Sequence, residues 1–398
     1  MQGSFRSRHL SESVRLSYNR PRSLSEVLLM ENSITVEATA IAYRNPHPNL
    51  RSQVAYHPSL VQLSATEFLS TFDLGQAVES LDYHSVQARS MDAGETWAVE
   101  GPIISNLPPQ TTHTVRINRL QDGSLVGFGC FSHRVDPDQG VINRETLGYV
   151  PMELFLMRSQ DEGRSWTQPV EFEPPLIGPS WEICHSMVEL QDGRWLIPLS
   201  TWRGWDGDHP SGDQAVVFIS DDQGENWPRY GRTFDGRATG LIHWEQSVAP
   251  LQDGRLIAVS WVYDPRAGRS RPSQYSLSPD RGETFSAPME TGFLGQTCKV
   301  IQLRDGRLLF VYRRDDQPGL WGTLSQLQGN RLVHLGHQPL WEGAESGMIG
   351  AGKSADELSG LKFGYPNFQQ ISDDQVLILF WCQEDCITGI RWIRLKIA

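Results

Sequence analysis

The sequence predicts an all-β protein, a six-bladed β-propeller of four-stranded antiparallel blades, and two repeats running in phase predict it. The first repeat has the frame Ser-x-Asp-x-Gly-x-polar-aromatic, at Ser90 to Trp97, Ser159 to Trp166, Ser220 to Trp227 and Ser278 to Phe285. Its aspartates, Asp92, Asp161, Asp222 and Asp280, recur at intervals of 58 to 69 residues, the behaviour of a repeated supersecondary unit. The second repeat is an Asp-Gly hairpin signal between apolar runs. It occurs at Leu120 to Gly123, Leu190 to Gly193, Leu251 to Gly254 and Leu303 to Gly306, each followed by a strand-like run. Weaker copies at Leu63 and Ile371 bring the units to six.

Taken in order, residues 1–33 are Arg- and Ser-rich and are expected to be an unstructured tail, with 34–398 one propeller. Ile34 to Arg44 alternates like a strand and is expected to pair with the last blade, closing the ring and removing sheet edges. Aligning the six units on Leu63, Leu120, Leu190, Leu251, Leu303 and Ile371 checks the register. Three residues earlier stand Leu60, Ile117, Met187, Val248, Val300 and Phe368; four earlier stand Ser59, Arg116, Ser186, Ser247, Lys299 and Asn367. A uniformly apolar column beside a uniformly polar one is what strand side chains of period two require. Each unit reads as an inner strand, the Asp-Gly hairpin, a second strand, a third ending in the Ser-x-Asp turn, and an outer strand. The fifth and sixth lack that turn, and Trp321 to Ser325 and Gly389 to Trp392 take the place of their third strands. In the turn, Asp and Ser side chains bond nearby amides and Gly supplies a positive φ, so these are staples and not catalytic residues. Connections 130–152, 201–213 and 341–362 are expected to form loops over one face.

Composition narrows the function. The 36 Gly, 24 Pro and 13 Trp in 398 residues suit a turn-rich β protein. A formal charge of -12 argues against generic nucleic-acid binding, which needs clustered Lys and Arg. No segment approaches the roughly 20 apolar residues of a membrane span, and no apolar signal region precedes the propeller, so the protein is expected to be cytoplasmic. Cys130, Cys184, Cys298, Cys382 and Cys386 are odd in number and widely spaced, and buried free thiols are expected. No phosphate loop or dinucleotide fingerprint occurs in a strand–helix context, so no cofactor is expected, and no metal is assigned.

The Ser-x-Asp frame resembles the Asp-box repeat of the sialidase-like superfamily, over about residues 34–398. That resemblance implies a site over the central channel, where inner strands begin. A sialidase there uses three Arg against the substrate carboxylate, a Tyr nucleophile assisted by Glu, and a loop Asp as acid/base. Glu245, in Trp244-Glu245-Gln246-Ser247, resembles the family Glu. Tyr365 stands six before Ile371, the offset Glu245 has from Leu251, and resembles the family Tyr. Glu79 and Asp82 resemble the acid/base loop, with Asp82 as the implied acid. The Arg clamp departs from the family pattern: His57 stands where the first Arg belongs, Trp261 where the second does, and Arg313 or Arg314 resembles the third. Tyr43-Arg44-Asn45-Pro46 has the look of the first signature but precedes the strand that should carry it. His and Trp do not reproduce bidentate carboxylate binding, so the substrate is expected to differ from ordinary sialosides.

Read without the family, His57, His113, His185 and His243 fall at the starts of inner strands with Glu182, Glu245, Arg116, Lys299 and Tyr365. Neutral imidazoles and desolvated carboxylates are proton-transfer partners. The expected function is a carbohydrate-active enzyme, first a glycoside hydrolase on a non-standard or acidic glycan, with Glu245, Tyr365 and Asp82 catalytic. His57, His113, Arg116, Glu182, His185, Lys299 and Arg313 would contact substrate, and Trp205, in a loop with Trp202 and Arg203, would stack on a sugar. The alternatives are a uronate-directed lyase resting on the histidines, with Arg116, Lys299 or Arg313 neutralising the uronate, and a non-catalytic binding propeller.

Overall fold

The computed structural model describes residues 33–108, 110–134, 136, 138–343 and 360–398. The expected tail lies outside the described residues apart from Ser33, as does most of the 341–362 connection. Six antiparallel sheets follow one another along the chain, and their first strands contact each other from sheet to sheet around a central axis. These inner strands are Val54–Gln62, Thr111–Arg119, Ser180–Glu182 continued by Val188–Glu189, Ile242–Pro250, Gln296–Gln302 and Phe363–Gln370. In the third sheet the inner strand is broken, and both pieces pair with Trp195–Trp202. Blades I to VI denote these sheets in chain order.

Blade VI is built from both ends of the described chain. Ile34–Tyr43 is its outermost strand, lying antiparallel to Ile387–Ile397 with Ile34 opposite Ile397. Leu320–Gln328 and Ile387–Ile397 are the third strands of blades V and VI, over the segments the sequence marks for them. The apolar column is buried throughout: Leu60, Ile117, Met187, Val248, Val300 and Phe368 are each at most 6 % exposed. They pack between blades; Leu60 meets Leu377 and Leu379 of blade VI, and Met187 meets Phe128 of blade II. Burial of such a side chain contributes about 1.5–3 kcal/mol, so the column holds neighbouring sheets together. Of the five thiols, four are buried as expected; Cys386 is exposed, because it sits in the turn between two strands of blade VI.

The four Ser-x-Asp turns are superimposable in their hydrogen bonds. Ser90, Ser159, Ser220 and Ser278 each accept the amide of the turn glycine at 2.8–2.9 Å and donate to the turn aspartate at 2.7–2.9 Å. Each aspartate also accepts an amide four residues on. The serine and aspartate of each motif are thus spent on their own turn. On the axial face, the loops 130–152 and 201–213 pack on each other, Asn143 and Thr146 donating to the Trp205 carbonyl. The first of the two walls one side of the channel mouth with Val141, Ile142, Arg144 and Tyr149.

Candidate active site

Where the inner strands begin, the ladder slips in four blades: between Tyr56 and Ser59, Trp244 and Ser247, Gln296 and Lys299, and Gly364 and Asn367. The residue in each slip has a left-handed backbone: His57 at φ 52°, Glu245 at 52°, Thr297 at 48° and Tyr365 at 57°. All four stand six residues before the aligned Leu or Ile. Left-handed geometry costs a non-glycine residue about 1–2 kcal/mol, and bulges re-aim side chains next to active sites. Each strained amide in three of them is capped by the preceding blade. Glu245 N–H donates to Glu182 Oε2 at 2.8 Å, Thr297 N–H to Glu245 Oε2 at 2.7 Å, and Tyr365 N–H to Thr297 Oγ1 at 3.3 Å.

Above this register lies a cavity of about 440 Å³. Tyr56, Tyr149, Trp181 and Trp381 supply aromatic wall, and His57, His113, Arg116, Glu182, Glu245 and Tyr365 supply the chemistry. A groove of about 420 Å³ between blades I and II is similar in size, but its Glu100 and Arg164 are engaged with Arg89 and Glu162, and no strained residue points into it. The axial cavity is the candidate site.

Its first centre is a pair of carboxylates. Glu182 and Glu245 bring oxygens within 4.8 Å of each other, with the Cys184 thiol in the same group. Burial first, and then the charge of Glu245, push the Glu182 carboxyl up to about 8. Burial also raises Glu245, but the Arg313 guanidinium and the Thr297 amide pull it back. Glu182 is therefore the member that keeps its proton near neutrality. The two carboxylates and the thiol are ligand types for a divalent cation, although one oxygen of each carboxylate is already committed to an amide.

The second centre is a connected set of six side chains around Asp73. Asp73, fully buried, accepts hydrogen bonds from Arg116 Nη2 at 2.9 Å and Nη1 at 3.3 Å, Ser85 Oγ at 2.5 Å and Tyr83 Oη at 3.4 Å. His57 Nδ1 lies 3.2 Å from the same carboxylate. Arg116 Nε donates to Tyr365 Oη at 2.9 Å, and the Tyr365 ring meets the His57 ring edge-on at 4.8 Å. Although burial opposes it, the Arg116 charge and the His57 contact hold Asp73 down to about 2. Burial keeps His57 below the usual imidazole range against the Asp73 hydrogen bond, and lifts Tyr365 well above the usual phenol range against Arg116.

The structure thus brings His57, His113, Arg116, Glu182, Glu245 and Tyr365 to one cavity. Glu245 and Tyr365 do not touch through their functional groups, since Thr297 stands on the blade between them. Asp82 is exposed and accepts the Gln76 amide in its own loop, away from the cavity lining; Glu79 of that loop lines it instead. Trp205 lies outside the lining and contributes its carbonyl to the loop contact described above. His185, Lys299 and Arg313 lie below the cavity, Arg313 donating to Gln296 and to the Phe363 carbonyl. Arg44 pairs with Asp385 at the surface, and Trp261 packs in an aromatic cluster with Trp202, Trp244 and Tyr263. Sequence reasoning missed Asp73, Tyr83 and Thr297. Asp73 alone carried a signal, a carboxylate inside the apolar run Phe68 to Leu74.

Similarities to known proteins are consistent with this architecture. No curated protein matches the chain. A solved protein of unknown function from Dyadobacter fermentans superposes with a TM-score of 0.70 at 20% identity, covering 92% of this chain and 99% of that one. A Hadza microbial sialidase gives 0.63 at 17% identity, covering 89% and 68%. A Penicillium chrysogenum alpha-L-arabinanase complexed with arabinobiose gives 0.61 at 14% identity, covering 91% and 98%. At these identities the likeness is one of fold. The profile of the BNR repeat-like domain matches residues 134–378, more than half of the chain. The chain therefore belongs to the BNR repeat-like domain family, and its six-bladed propeller fold is similar to that of the sialidases.

Proposed function

We propose that the protein is a carbohydrate-active enzyme, a glycoside hydrolase that uses Glu182 as proton donor and Glu245 as the ionised partner. The observation that carries this reading is the pair of carboxylates in the wall of an aromatic-lined cavity, with pKa values pushed apart by their surroundings. Separated pKa values assign acid and base. Oxygens within 4.8 Å suit the separation of about 5–5.5 Å in retaining pairs better than the roughly 6.5–9.5 Å of inverting ones.

A neutral sugar fits this cavity better than an acidic one. Two guanidinium groups, Arg116 and Arg144, line it against three carboxylates, Glu79, Glu182 and Glu245, and Arg116 has Nε committed to Tyr365 and both terminal nitrogens to Asp73, so its charge is already balanced. Arg313 is spent below. The roles of Arg116 and Tyr365 are then to hold a sugar hydroxyl and to fix His57. Similarity of fold to a sialidase and to an alpha-L-arabinanase is compatible with the proposal.

A second reading, a lyase, is favoured by one observation. His57 Nδ1 lies 3.2 Å from Asp73 and 3.0 Å from Tyr83 Oη; in the tautomer that donates Nδ1–H to Asp73, Nε2 is the basic nitrogen, which would take the proton beside a uronate carboxylate while the leaving oxygen departs and a double bond forms.

Product analysis on neutral, sialylated and uronate-bearing oligosaccharides separates these readings. New reducing ends without ultraviolet absorbance, lost in Glu182→Gln and Glu245→Gln, support hydrolysis. Absorbance from a new double bond overturns it in favour of His57. Silence across the panel favours a binding propeller.

A further inference from the structure

Beneath Tyr365 the axis is lined by the polar column, and there a cation stands without a carboxylate. Lys299 Nζ donates to Asn367 Oδ1 at 2.7 Å and lies 5.6 Å from the centre of the Phe368 ring. Among the described residues no acidic side chain comes within ion-pair distance of it. Asn367, 1 % exposed, has its carbonyl oxygen on Lys299, which leaves Nδ2 with no acceptor. His185, 3 % exposed, lies against the backbone at Cys298 and senses the Lys299 charge, yet neither ring nitrogen completes a hydrogen bond. Of the rest of the polar column, Ser59 and Ser247 accept the Ile117 and Val300 amides of the next blades, and Arg116 is paired with Asp73.

Beyond the hydrogen that Lys299 gives to Asn367 Oδ1, the ammonium, the Asn367 amide nitrogen and the one N–H of a neutral His185 together offer more donors than the single free imidazole nitrogen can accept. Buried donors without partners cost about 1–3 kcal/mol each, and an uncompensated charge costs more. A water molecule would accept from two of them but would add two hydrogens to a group already short of acceptors. A small anion accepts from all of them and adds none, and it balances the charge.

We infer that the channel below the active cavity is a binding site for a small monatomic anion of the halide class, held by Lys299, Asn367 and His185. The anion keeps Lys299 protonated and fixes the inner strands of blades III, V and VI around a common centre. Without it, burial draws the Lys299 pKa down to about 7, and the ammonium is lost near neutrality. The site is separate from the reacting carboxylates, since none of the three residues lines the cavity.

The test compares thermal unfolding of the full chain in sodium chloride, sodium bromide and sodium gluconate at one ionic strength. A site of this kind should raise Tm by about 3 °C in halide a hundredfold above its dissociation constant, against gluconate. Lys299→Met removes the charge, and Asn367→Asp supplies a built-in counter-ion; both should abolish the difference between halide and gluconate. Crystals grown in bromide should show an anomalous peak beside Lys299 Nζ. Equal Tm values in halide and gluconate, a halide response retained in both variants, or a blank anomalous map would each overturn the inference. If Asn367→Asp fails to fold, Lys299→Met and the bromide map still decide the matter.

Discussion

Replacing Glu182 by Gln should make the protein more stable at alkaline pH while abolishing turnover. The carboxyl of Glu182 has a folded pKa of about 8 against an ordinary value of 4.5. A raised carboxyl contributes its stability in full below 4.5 and loses it as pH climbs through about 8, because the folded state must then bury a charge. The slope for one proton is at most about 1.4 kcal/mol per pH unit, a ceiling of about 5 kcal/mol over the window. The carboxyl is partly open to the cavity and shares its field with Glu245, which brings the expected loss to about 2–3 kcal/mol. The buried histidines tilt the other way. His57, His113, His185 and His243 all have lowered pKa values, so their contribution falls as pH drops below the imidazole range. The useful quantity is therefore the difference between variant and parent. Gln keeps an oxygen for the Glu245 amide, so the strand geometry survives. Urea unfolding should show Glu182→Gln matching the parent near pH 4.5 and exceeding it by about 2–3 kcal/mol near pH 8. A difference that does not change with pH would refute the assignment of Glu182 as the protonated member.

Other expectations follow from the same contacts. Asp73→Asn should destabilise the fold by about 3–5 kcal/mol, since Arg116 would remain buried without its counter-charge; a Tm unchanged by the substitution would count against the described pairing. The depressed pKa of Asp73, 3.8 to about 2, makes its contribution of about 2–3 kcal/mol present above pH 3.8 and lost as pH falls through about 2, which acid titration of the parent against Asp73→Asn should reveal. If Glu182 is the acid, kcat/KM on an active glycan should fall as pH rises through about 8, as read from a pH–rate profile. Tyr365→Phe removes the acceptor of Arg116 Nε without opening a cavity, and about a tenfold loss of kcat/KM with little change in Tm is expected. A loss like that of Glu245→Gln would place Tyr365 among the reacting groups.

The propeller was legible because its signals are local and repeated. Four copies of one turn and six hairpins fix the register, and the register fixes which column is apolar. The site was legible only in part. Glu245 and Tyr365 were found through a shared offset, and the structure gives that offset a physical meaning: it is the bulge position. Thr297 occupies the same position, but a threonine in a strand raises no alarm. Asp73 was hidden because its partners come from residues 57, 83, 85 and 116, and no pattern along the chain predicts a charge balanced by a neighbouring blade. The contact expected between Glu245 and Tyr365 failed to form for a similar reason. Alignment places two residues at equal height, yet their separation around the axis depends on how many blades stand between them.

The bulge register has a consequence for how such a protein changes its chemistry. A backbone slip, once capped by the blade before it, presents whatever side chain occupies it at the same height and facing the same axis. His57, Glu245, Thr297 and Tyr365 show that an imidazole, a carboxylate, a hydroxyl and a phenol are all accepted there. Reactivity and scaffold meet only in the caps: the Glu245 and Thr297 side chains also hold the next blade's strained amide, so a codon change there keeps the strands in place only if the new side chain still offers an acceptor. The six-fold frame then behaves as a socket, in which the geometry is inherited and the reagents are interchangeable.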